Sequence, residues 1–113
     1  MRSPAERLRD ILEAIERIER YTAQGRAAFD SDELIQNWVV RHLQIIGEAA
    51  NALPEEVRVL DAAVPWRNMI GMRHILVHHY FVIDLDVTWD VVVEHLPGLK
   101  SAVVALLAQL EQP

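Results

Sequence analysis

Cysteine is absent from the chain, which excludes a disulfide framework, a thiolate nucleophile and any zinc site built on sulfur. Long apolar runs are missing as well. None approaches the ~20 residues a membrane-spanning helix needs, and no basic segment leads into an apolar one at the start, as a secretory signal would. The expectation is a cytoplasmic protein with no membrane association. Acidic residues are missing from one stretch. Between Asp61 and Asp84 there are none, while Arg67, Arg73, His74, His78 and His79 all fall there. The chain as a whole carries a formal net charge of -6, which argues against indiscriminate coating of nucleic acid. A locally positive segment inside an acidic protein can still hold a phosphate.

What is present is a folded composition: 113 residues, of which 51% are hydrophobic and 25% charged. That predicts one domain spanning residues 1–113, small enough that self-association would help bury apolar surface. The apolar spacing is helical nearly throughout. Ser3-Pro4-Ala5-Glu6 reads as a capping box with proline at the first helical position, and Leu8, Ile11, Leu12, Ile15 and Ile18 line one face behind it. Asp30-Ser31-Asp32-Glu33 reads as the start of a second helix through Leu53. Pro54 restarts the chain as a short turn, and Pro65 precedes a third helix over Trp66 to Tyr80. Asp84 or Asp86 caps a fourth. Pro97-Gly98 is expected to break that helix and open a last one with Leu99, Val103 and Leu106 on its apolar face. Phe81-Val82-Ile83 has strand-like composition but is too short to build a sheet. The predicted fold is all-α, an antiparallel helical bundle of four to five helices.

The third predicted helix carries the chemistry. It ends in one arginine, three histidines and a tyrosine on an otherwise apolar segment, and burying such groups without purpose is costly. On a continuous helix Arg73 and His78 would lie ~140° apart around the axis and ~7.5 Å along it. They would then flank one phosphate only with an irregular helix end or a second copy of the helix. Histidine can accept a proton from a ribose 2′-hydroxyl or donate one to a leaving 5′-oxygen. Arginine can stabilise charge on phosphoryl oxygens. These parts suit RNA cleavage without a metal or cofactor, ending in a 2′,3′-cyclic phosphate. His74 and His78 also have the i, i+4 spacing of two zinc ligands, but no glutamate follows His74, and a third ligand would have to come from His79, His42 or a distant carboxylate. Glu48, on the second helix, is a candidate to orient Arg41 or Arg73. Trp38, Trp66 and Trp89 sit on apolar stripes and read as core.

Arg73-His74-Ile75-Leu76-Val77-His78, completed by Tyr80, resembles the Arg-x4-His-x-Tyr motif of the HepT-like group of HEPN ribonucleases. The flanks are similar too: Trp66-Arg67 and Gly71-Met72 ahead of the motif, and Ile45-Ile46-Gly47-Glu48-Ala49 in the second helix. The resemblance implies a HEPN-like bundle that forms a homodimer, with the two motifs meeting in a cleft between the copies. It implies the toxin half of a toxin–antitoxin pair, with RNA as substrate and a minimal nucleotidyltransferase antitoxin as partner. Arg73 and His78 would then be catalytic, His74 and Glu48 supporting, and Tyr80 the residue onto which the antitoxin transfers AMP from ATP. The competing expectation is a non-catalytic subunit that binds and regulates a partner nucleotidyltransferase, in which case this chain could even be the neutralising member of the pair.

Overall fold

The computed structural model describes the backbone of residues 2–75, 77, 78 and 82–112, and the side chains of residues 2–73 and 83–112. The protein is all-α, as its apolar periodicity predicts. Helix α1 (Pro4–Thr22) begins at the expected capping box. The Ser3 hydroxyl accepts from the Glu6 N–H at 3.1 Å, and the Glu6 carboxylate accepts from the Ser3 N–H at 2.9 Å. Two of the N–H groups that every helix start leaves unpaired are thereby satisfied. These hydrogen bonds also hold the Glu6 carboxyl below the usual carboxylate range.

Helix α3 (Glu33–Ala52) is the central element. Asp32 caps it by accepting from the Leu34 N–H at 2.9 Å. One side packs on α1, the other on α5 (Trp66–Ile75). Leu8, Ile11, Ile15 and Ile18 of α1 and Val39, Leu43, Ile46 and Ala50 of α3 are buried in one core. Each large aliphatic side chain there gains about 1.5–3 kcal/mol on leaving water. The Trp38 indole donates to the Arg17 carbonyl at 2.8 Å and fixes the alignment of α3 on α1. The Trp66 indole donates to the Arg58 and Asp61 carbonyls, both at 3.0 Å. This ties the start of α5 to the turn formed by α4 (Glu55–Arg58) and a 3-10 turn, Val59–Asp61. Trp89 packs on Phe29 with ring centres 5.2 Å apart. The three tryptophans are thus framework residues.

Four expectations need correction. A six-residue helix, α2 (Arg26–Ser31), precedes the Asp32 cap, entered from Gly25 at φ 96°. Second, α5 ends at Ile75 rather than running to Tyr80. Third, the chain then turns extended: β1 (Val77–His78) pairs antiparallel with β2 (Val82–Ile83), Val77 opposite Ile83 and His78 opposite Val82. Three of those four residues are β-branched, which suits a pleated surface better than a crowded helical turn. Fourth, Pro97-Gly98 does not break the last helix. Helix α6 (Leu85–Asp90) passes through a π-turn at Val91–His95 into α7 (Leu96–Leu110) as one continuous helix. Proline has no N–H to donate four residues back. In the π-turn the Leu96 N–H reaches Val91, five residues back, and the widened turn accommodates the ring. This helix is long and apolar enough to cross a membrane by length and composition alone. Here it lays Leu96, Leu99, Val103 and Leu106 into the core against α1.

Candidate functional site

Arg73 sits in the last turns of α5, opposite the C-terminal third of α3. Gly47 makes that approach possible. A Cβ at position 47 would lie 3.1 Å from the Met69 carbonyl oxygen and 3.3 Å from the Arg73 Cβ, so the absence of a side chain lets the backbones close up. Glu48, the next residue, then meets the arginine. Arg73 Nη1 donates to Glu48 Oε1 at 3.5 Å, with 25% of the arginine side chain and 65% of the glutamate exposed. That length is at the outer limit of a hydrogen bond, and a pair so exposed contributes at most about 1 kcal/mol. Glu48 steadies the guanidinium without saturating it.

The other side of the same guanidinium is more informative. Arg73 Nε is buried and makes no hydrogen bond among the described residues. A buried donor without an acceptor costs about 1–3 kcal/mol, and most are paired. An arginine with five N–H donors, whose side chain is partly exposed and only weakly engaged by Glu48 among the described residues, keeps donors to offer an oxyanion.

Of the sequence-predicted site residues, the structure brings Arg73 and Glu48 together. Arg41 is not part of that contact. The backbone of His74 lies on α5 and that of His78 on β1; their side chains fall outside the described residues, as do Tyr80 and His79 altogether. One geometric expectation is overturned. The ~140° separation of Arg73 and His78, and the shared face of His74 and His78, hold only on one uninterrupted α-helix. With His78 on a strand beyond the helix end, the i, i+4 zinc spacing no longer applies. The hairpin leads directly into α6, where Asp84 caps the helix by accepting from the Val87 N–H at 3.0 Å.

Sequence reasoning missed a cleft of about 590 Å³ between α1 and α3, lined among others by Arg7, Asp10, Arg17, Arg41, His42 and Glu48. The available signal was the spacing of Arg41, Ile45 and Glu48, which puts them on one face of α3.

Comparison with known proteins agrees with this architecture. The family model described as "Ribonuclease HepT-like" matches residues 11–106. A Thermococcus cleftensis protein named "Probable ribonuclease HepT" is 43% identical over 88% of this chain and 92% of its own. A Caldanaerobacter subterraneus protein named "Putative RNase" is 35% identical over 95% of this chain and 96% of its own. A Methanocaldococcus jannaschii protein named "Gamma-glutamylcyclotransferase and putative RNase" is 39% identical over 93% of this chain, which spans only 48% of that longer relative. No solved structure matches. With the motif arginine standing on a helix end against Gly47 and Glu48, and the match running from α1 to α7, the chain belongs to the HepT-like ribonuclease family.

Proposed function

We propose that this chain is an endoribonuclease that cleaves RNA without a metal, and that it is the toxin of a toxin–antitoxin pair. The observation that carries the reading is the partly exposed guanidinium of Arg73, held among the described residues only by a 3.5 Å contact to Glu48. Supporting it are the family membership and the acid-free stretch around the motif.

The chemistry follows from the residues. A base, His78, takes the proton from a ribose 2′-hydroxyl. The 2′-oxygen attacks the adjacent phosphorus, the new P–O2′ bond forms and the P–O5′ bond breaks. An imidazolium delivers a proton to the departing 5′-oxygen, leaving a 2′,3′-cyclic phosphate on the upstream fragment. Arg73 neutralises charge on the non-bridging oxygens as the transition state develops. In an in-line displacement the entering 2′-oxygen and the departing 5′-oxygen lie on opposite sides of the phosphorus, out of reach of one imidazole, so the reading includes a homodimer in which the partner's motif supplies the second. His74 assists at the variable polar position of the motif. The assignment is tested by cleavage of RNA in chelator: His78→Ala should lower the rate by about 10²–10⁴-fold, the range of general acid–base contributions, with helical content intact. Unchanged cleavage would sink it.

Regulation is proposed at Tyr80, where a partner nucleotidyltransferase would add AMP to the phenolic oxygen and block the site. Mass spectrometry after incubation with that partner and ATP should find one adenylyl group on Tyr80. An active pair that adds mass only elsewhere would reject this.

One observation favours a second reading. At a net charge of -6 the chain repels polyanions at long range, which suits a non-catalytic subunit that holds a nucleotidyltransferase. That subunit would form a stable complex with the enzyme and cleave no RNA at any salt concentration.

A further inference from the structure

The α1–α3 cleft looks electrically balanced until its ion pairs are assigned. Three carboxylates line it, Asp10, Glu13 and Glu48. Each is already occupied by an arginine. Arg2 holds Asp10 through two hydrogen bonds of 2.6 Å, Arg17 holds Glu13 at 2.7 Å, and Arg73 holds Glu48 at 3.5 Å. Two lining arginines are left over, Arg7 and Arg41, and neither has an acidic partner among the described residues. The cleft therefore presents two uncompensated guanidinium groups in an otherwise acidic protein.

Its position matters as much as its charge. Arg41 and Glu48 are two turns apart on one face of α3, about 10 Å along the axis, and Glu48 is the residue that touches Arg73. The cleft thus shares one wall residue, Glu48, with the contact of the motif arginine. Its wall includes His42, a buried ring tilted 40° against Trp38 with ring centres 4.3 Å apart. His42 Nδ1 lies 2.7 Å from the Trp38 carbonyl. A carbonyl only accepts, so Nδ1 carries the hydrogen in this contact, which leaves Nε2 as the ring's second polar atom. A cleft lined by two guanidinium groups and an imidazole fits a ribose-phosphate chain, which offers a hydroxyl and an anionic phosphate at every residue.

We propose that the α1–α3 cleft is a second RNA-binding subsite, in which Arg7 and Arg41 take phosphodiester groups of the strand whose scissile phosphate lies at Arg73. This rests on the ribonuclease reading. It adds the path by which an acidic protein holds a polyanion: a short track of unpaired arginines rather than a broad basic surface.

The test is a binding measurement, so that it does not depend on turnover. Full-length protein carrying His78→Ala is titrated against fluorescein-labelled single-stranded RNA of about 12 nucleotides, within the usual site size, over a series of salt concentrations. Adding Arg7→Gln and Arg41→Gln together should weaken binding about tenfold and flatten the slope of log affinity against log salt by about 1.4, at about 0.7 for each phosphate no longer neutralised on a single strand. Each single substitution should give about half of that change in slope, which keeps the proposal refutable if the double variant does not fold. Arg20→Gln, on an exposed arginine of α1 outside the cleft, should leave the slope unchanged. Binding by the parent with no change in the arginine variants overturns the subsite and leaves the ribonuclease reading standing. An equal weakening in Arg20→Gln also overturns it, since only general charge would then be at work. No RNA binding by the parent overturns both.

Discussion

A single side chain concentrates the chemical argument. Arg73 contributes little to stability where it stands: its pair with Glu48 is long and exposed, and its Nε is buried without an acceptor among the described residues. Function and stability therefore separate at this position. Arg73→Ala is expected to lower RNA cleavage by about 10²–10³-fold, the usual effect of removing one donor to a developing oxyanion, while the protein is destabilised by no more than about 1 kcal/mol. Arg73→Lys should not restore the rate, because an ammonium lacks the planar fork that meets two oxygens at once. A large drop in melting temperature with partial activity would instead mark Arg73 as structural.

At the scale of elements, the site depends on how closely α5 lies on α3. Gly47→Ala would set a methyl group 3.1 Å from the Met69 carbonyl and 3.3 Å from the Arg73 Cβ. Since one of those neighbours is backbone, the helix itself must shift. Overpacking of this kind costs about 1–3 kcal/mol, and cleavage should fall with the displaced arginine; denaturant unfolding and rate measurement on one preparation check both. Much at this scale was legible in the sequence. The Ser3 box, the Asp32 and Asp84 caps and the apolar face of α1 are all where periodicity and capping chemistry put them. What was not legible has local causes. Six residues of α2 are too few to display a helical period, and only Phe29 among them is buried. The run Ile75-Leu76-Val77 suits a helix or a strand equally by pattern, and two ladder rungs carry no readable alternation. Pro97 signals a break unless the preceding turn widens, and no composition rule foretells a π-turn. Arg73 and Glu48 could be named as candidates from sequence, but not their pairing, because it depends on the backbone approach at Gly47.

At the scale of the molecule, the long helix from α6 to α7 buries one face and leaves Val87, Val93 and Val104 exposed on its surface. Together with exposed Val59 and Leu60, these supply apolar area for the proposed homodimer. Sedimentation is expected to give twice the 12.9 kDa chain mass at micromolar concentration. A strict monomer that still cleaves RNA would require both proton transfers from one chain and would overturn the two-copy mechanism.

The central claim is that Arg73 and His78 act on one phosphodiester by 2′-hydroxyl attack. The most direct measurement is end-group analysis of fragments cut from a defined RNA in the presence of chelator, for the parent protein and for Arg73→Ala and His78→Ala. The expected result is 2′,3′-cyclic phosphate ends from the parent and a rate lower by at least about 100-fold in each variant. Fragments lacking the cyclic phosphate, or full cleavage after either substitution, would contradict it.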